Sequence, residues 1–184
     1  MAPAIPDHYR SFYLTFLRFA IIMLVFGGLA GVLFQEMTKS MIYGDEAPNV
    51  PPGVRLESVY HLALLHGHGF LIGAIMPICW ITALQIALRL GCDPLSRKAL
   101  RWIKWTYLPG AVSVLALIAY KGVVYVDRVK AGDRDFAAIH ASLFGGNKLA
   151  RGLAYGLSHT VATVGLIIFG WLLWRSLKKA GRHA

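Results

Sequence analysis

Charge is scarce in this chain. Only 15% of its 184 residues are Asp, Glu, Lys or Arg, against 57% apolar ones. Roughly a quarter of a soluble domain is charged, so an ordinary water-soluble globule is excluded. Cysteine is nearly absent. Cys79 and Cys92 form neither a disulfide framework nor a C-x-x-C metal pair, and are expected as small buried or loop residues. No C-x-x-C-H is present either, which excludes covalent c-type haem. Acids are few, nine against nineteen Lys and Arg. None falls in the middle of an apolar run, so the midplane carboxylates that ion transport requires are missing. The sequence contains no repeat or low-complexity segment.

The apolar residues fall into uncharged runs. These are Phe19 to Phe34, Ser58 to Leu88, Trp105 to Tyr120 and Gly152 to Trp174. A spanning helix needs about 20 mostly apolar residues, and long basic side chains at its ends can snorkel. The pattern therefore predicts an all-α, integral membrane four-helix transmembrane bundle. It reads as a single membrane domain, 1–184, with helices near 12–40, 58–90, 95–126 and 148–177. An open sheet is excluded at these depths because lipid cannot satisfy its edges. The first span has Arg18 close to its core and no A-x-A site after it, so it is expected to be retained rather than cleaved.

The net charge of +10 would suit nucleic acid by its size. The cations, however, gather in short segments between the apolar runs, as juxtamembrane Lys and Arg facing anionic lipid do. Nucleic acid is rejected as a partner and a lipid bilayer is expected. Arg10, Arg18, Arg89, Arg97, Lys98, Arg101, Lys104, Arg175, Lys178, Lys179 and Arg182 fall on one side. Eight basic residues, diluted over longer loops, fall on the other. The positive-inside rule then sets both termini in the cytoplasm. Asp93-Pro94 is expected to cap the third span, Gly145-Gly146-Asn147 to turn into the fourth, and Pro77 and Pro109 to kink the second and third.

Three imidazoles interrupt the second span: His61, His66 and His68. At 100° per residue His66 and His68 leave nearly opposite sides of a helix, about 200° apart, whereas His61 and His68 share a face. Gly69, Gly73 and Pro77 run beside His66; Leu64, Leu71 and Ile75 run beside His68. The fourth span carries His159 on a stripe with Gly152, Tyr155, Gly156 and Thr163. Counted from their helix starts, His66, His68 and His159 lie about 12–15 Å in from the outer surface, so one layer is expected to hold all three.

Intramembrane ionisable residues are functional candidates by default. Neutral imidazole is a strong axial ligand, and a macrocycle needs an apolar slot between helices. The expectation is haem b held by His66, His68 and His159, with Lys121 and Arg151 toward its propionates, and a redox, electron-transfer or gas-chemistry role. Copper or zinc on His61, His66, His68 and His159 is the alternative metal reading. The opposite splay of His66 and His68 argues against both meeting one ion. A structural or accessory subunit, its histidines only bonding helix to helix, is the reading from another class. Glu36 and Lys121 close the first and third spans on the same side, where they either pair or merely snorkel. His8, His140 and His183 are expected as solvated residues. Met23, Met37, Met41 and Met76 form no metal track. Gly27-x-x-x-Gly31 and Gly69-x-x-x-Gly73 offer close-packing faces that would suit a homo-oligomer or a larger membrane complex.

The segments "GGLAGVLFQEMTKSM", "LHGHGFLIGAIMP" and "GLSHTVATVGLIIF" resemble an uncharacterised family of small bacterial membrane proteins, a domain of unknown function. Its pattern is A-G-x-x-x-x-E closing the first helix, H-x-H-x-x-x-L-G on the second and G-x-x-H on the fourth. Here these are Glu36, His66 with His68, and His159. Ile72 stands where the pattern has leucine, and Lys121-Gly122 looks like the family's basic-glycine pair. The resemblance implies a multi-pass protein of the bacterial inner (cytoplasmic) membrane and supplies no settled activity. The H-x-H helix is also similar to that of haem-copper oxidases and nitric oxide reductases, whose two histidines serve two haems on opposite faces. Those enzymes have many more helices and further ligands. Four helices cannot host such a centre without a second copy or a larger, respiratory-type complex.

Overall fold

The computed structural model describes residues 5–44 and 49–180, the side chains of Lys179 and Ala180 excepted. Arg182 and His183 lie outside the described residues. Four long helices carry the architecture. The first is Asp7–Tyr43. The second is Pro52–Arg89 and includes a π-helical segment, Gly69–Ile75. The third is Arg97–Lys130 and the fourth Lys148–Ala180. Each is long and apolar enough to cross a bilayer, and the protein is a multi-pass membrane protein. Ile21, Ile22, Leu24, Val25, Leu29 and Val32 are all exposed along the first helix, as lipid-facing side chains are.

The ends differ from the sequence reading in three places. Asp93-Pro94 does not cap the third helix. Ser96 does, accepting a hydrogen bond from Ala99 N at 3.2 Å, while Asp93 uses its carbonyl to accept one from Ser176 Oγ at 2.6 Å. The third helix also runs on from the expected limit near 126 to Lys130, because Tyr125, Val126 and Val129 are buried against Met41, Leu62 and Ile139. The connection that follows contains a short helix, Phe136–Ser142, capped by Asp135, where the sequence reading had only a loop. The expected turn is present. Gly145 and Gly146 take positive φ, and Asn147 Oδ1 accepts from Ala150 N at 2.9 Å.

Three clusters make the core. At the end holding both described chain ends, Phe16, Trp80, Tyr107 and Phe169 stack with Leu84, Leu100 and Ile103. At the opposite end sits the Met41 and Tyr125 cluster. Only Ala30, Leu65 and Leu115 are fully buried in the small cluster between them. The first helix packs on the second, the second on the third and the third on the fourth. The second and fourth also meet where Trp80 stacks on Phe169, centroids 4.3 Å apart. Toward the other end, Pro52–His68 packs on the first and third helices.

Small residues set the closest approaches. A Cβ on Gly110 would stand 2.5 Å from Ala162 N, and one on Gly165 2.8 Å from Tyr107 N. The third and fourth helices therefore touch backbone to backbone. Gly27 and Gly31 face Phe70 and His66, while Gly69 and Gly73 face Gly27 and Met23. Both G-x-x-x-G stripes are thus used up inside the chain, because one serves the other. The close-packing faces expected to meet a second copy are internal.

Candidate functional site

His66 turns onto the first helix. Its Nδ1 lies 2.7 Å from the Gly27 carbonyl oxygen, and its ring meets Phe70 edge to face at 4.7 Å. Gly31 makes room for it, since a Cβ there would sit 2.7 Å from the same Nδ1. This is a helix-to-helix hydrogen bond in an apolar setting.

His68 and His159 behave differently. Nδ1 of His68 lies 2.9 Å from the Leu64 carbonyl, and Nδ1 of His159 lies 2.8 Å from the Tyr155 carbonyl. Each ring is tied back to its own helix one turn earlier. An Nδ1–H donated to a carbonyl leaves Nε2 as the lone-pair nitrogen, pointing away from the helix. Among the described residues, neither Nε2 has a hydrogen-bond partner. His68 is half-buried and His159 exposed.

The third helix acts as a ruler for their depth. Leu62 lies against Gly122, and Ala162 against Gly110. Counting from those contacts at 1.5 Å per residue, His68 stands level with about Ala116 and His159 with about Ser113, a difference of about 5 Å. The side on which they stand follows from Tyr125. His61 meets its ring edge-on at 5.0 Å, and Tyr155 meets the Phe144 ring edge-on at 6.1 Å, which in turn meets Tyr120 at 5.1 Å. His68 lies two turns from His61 on one face, and His159 about one turn from Tyr155. On this count both rings fall toward the side of the third helix that carries Tyr125. His66 leaves the far side of the second helix.

The polar groups expected nearby have specific partners. Lys121 Nζ lies over the Tyr125 ring at 5.2 Å, and Glu57 is its acidic neighbour. Arg151 Nη1 donates to the carbonyls of His140 and Ala141 at 2.7 and 3.1 Å. Glu36 pairs with Lys39 at 3.7 Å on the exposed surface rather than with Lys121. No three His, Cys, Asp or Glu side chains converge to hold an ion among the described residues, so His61, His66, His68 and His159 do not form one group. Two expectations for outlying histidines need correction. His8 is not simply solvated, because its Nε2 lies 2.8 Å from the Leu95 carbonyl. His140 is half-buried, and its pKa is lowered by partial burial, then by the nearby Lys121 and Arg151 charges.

Sequence reasoning set Tyr155 on the His159 stripe but gave it no role. Its hydroxyl is buried and has no hydrogen-bond partner among the described residues. The π segment was missed. It begins at Gly69, the residue after His68, and such segments occur often at functional sites.

A family model described as "Protein of unknown function (DUF2871)" matches residues 14–176. No curated protein and no solved structure matches the chain.

Proposed function

The chain belongs to the DUF2871 family of proteins of unknown function, so its activity has to be read from its own side chains, and we propose that it binds haem b and passes electrons within the membrane. His68 and His159 are the proposed axial pair. The observation that supports this reading is that each ring has its Nδ1 at a backbone carbonyl, with no partner for Nε2 among the described residues, at levels about 5 Å apart.

The surroundings fit such a group. A Cβ built on Gly152 or Gly156 of the fourth helix meets nothing within 4 Å, so that wall is flat enough for a macrocycle. Lys121 lies about 8 Å toward the outer end from the level of Ala116, within reach of propionates. Arg151 stands at the same end with donors beyond Nη1. The orphaned Tyr155 hydroxyl would gain an acceptor there. Haem b would supply a one-electron couple, held by the His68 and His159 imidazoles. The protein's part is to exclude water, hold both rings by their Nδ1 atoms and neutralise the propionates.

In this reading the unit is one membrane domain of a bacterial cytoplasmic membrane, with cytoplasmic termini. A second copy or a larger complex covers the site. For His66 a structural role is favoured, because its Nδ1 already bonds the first helix.

The visible spectrum of the purified full chain, expressed with haem supplied, tests the proposal. A Soret band with sharp α bands on reduction is expected. His68→Ala and His159→Ala should each abolish the low-spin signature, while His140→Ala keeps it. A colourless protein, or unchanged bands in both variants, rejects the reading. Stoichiometric copper or zinc by elemental analysis in the colourless case would support the alternative metal.

A further inference from the structure

The opposite end of the bundle holds a second feature unrelated to the histidines. A cleft of about 360 Å³ opens between the start of the first helix and the start of the third. Asp7, His8 and Ser11 line it on one side, and Arg97, Arg101 and Lys104 on the other. Three cations face one acid, so the cleft carries excess positive charge. His8 and Tyr9 clamp the first helix to the connection before the third, through the Leu95 carbonyl at 2.8 Å and the Leu95 N–H at 2.6 Å. The cleft is therefore braced rather than formed by mobile side chains alone.

A second cavity, about 470 Å³, adjoins it. Phe19, Trp105, Leu108, Pro109 and Val112 line this one, and Lys104 belongs to both. It runs away from the charged end along the groove between the first and third helices. The ammonium of Lys104 sits 5.3 Å from the Trp105 ring centroid, at the junction. A basic head region joined through one lysine to an apolar groove matches an amphiphile with an anionic head. Basic pockets between spanning helices bind such headgroups.

We infer that this composite cleft is a binding site for an anionic phospholipid. The phosphodiester lies among Arg97, Arg101 and Lys104, and one acyl chain lies in the groove past Trp105 and Leu108. The guanidinium forks of Arg97 and Arg101 suit a phosphate. The acid at Asp7 disfavours a more highly charged ligand such as free inorganic phosphate, which also gains nothing from the groove.

The test uses the full chain in a neutral detergent, with thermal unfolding followed as phosphatidylglycerol, phosphatidylcholine or inorganic phosphate is added. Phosphatidylglycerol should raise the unfolding temperature by several degrees more than phosphatidylcholine, and inorganic phosphate should not reproduce the rise. The triple variant Arg97→Gln, Arg101→Gln, Lys104→Gln should lose the difference. Arg175→Gln with Lys178→Gln, which removes two exposed cations elsewhere at that end, should keep it. Val112→Trp, filling the groove, should weaken long-chain phosphatidylglycerol at least fivefold and leave a short-chain analogue nearly unchanged. Equal shifts from both lipids, an equal effect of inorganic phosphate, or a difference that survives the triple variant overturns the site.

Discussion

At the residue scale, one glycine separates His66 from His68, yet their rings meet different partners. A helix turns 100° per residue, so the two must diverge. The neighbours then decide: Gly31 admits the His66 ring and the Gly27 carbonyl holds it. Replacing Gly31 with Ala would place a methyl 2.7 Å from His66 Nδ1. Gly31→Ala should lower stability by about 1–3 kcal/mol, the usual range for overpacking. Adding His66→Ala to it should recover part of the loss in a thermal scan. Equal destabilisation with and without His66 would mean that the ring does not cause it. His140 gives a pH effect. Its pKa in the folded protein is below the unfolded value, so the unfolded chain takes up the proton first. The stabilisation is present above the unfolded histidine pKa, about 6.5, and is lost as pH falls through it. His140→Gln should therefore flatten the decline in unfolding temperature between about pH 7.5 and 5.5, and identical declines in both proteins would contradict this.

At the element scale, the third helix organises the rest. It packs on the first, second and fourth, with its buried face running from Leu100 to Val129. It continues through Pro109 without interruption, so the proline expected to kink it does not end it. The second helix places a π segment just before Pro77. The extra residue per turn there suits a proline that lacks an N–H. Tyr107 Oη donates to the Ile72 carbonyl inside that segment at 2.6 Å. Close contact between the third and fourth helices depends on Gly110 and Gly165. Gly110→Leu should drive the two apart, lower the unfolding temperature strongly and, on the proposed site, shift the His159 wall. A protein as stable as the original would show that the backbones do not touch.

At the scale of the whole molecule, two large buried clusters close the ends and a smaller one joins them. Aromatic stacking closes one end and the Met41 and Tyr125 cluster closes the other. The cluster between them is built on Ala30, Leu65 and Leu115, with Ala74 and Val114 also buried, and the proposed haem site lies at that level. His8 bonded to Leu95 and Ser176 bonded to Asp93 tie both described chain ends to the connection between the second and third helices. These segments therefore share one side. In a chain carrying Cys79→Ala and Cys92→Ala, a membrane-impermeant thiol reagent applied to intact cells should label Ser142→Cys and spare Ser96→Cys. The reverse pattern would invert the proposed orientation.

The number of spans and their approximate limits were legible because burial in lipid demands long uncharged runs and internally bonded backbone. The cap at Ser96, the short helix after Lys130, the π segment beyond His68 and the separate fates of His66 and His68 were not. Each depends on which side chain a neighbouring helix presents, as Gly27 does to His66 and Tyr125 to His61. A sequence orders residues along and around a single helix. Which faces meet is decided by close packing between helices, where the presence or absence of one Cβ sets the distance of approach.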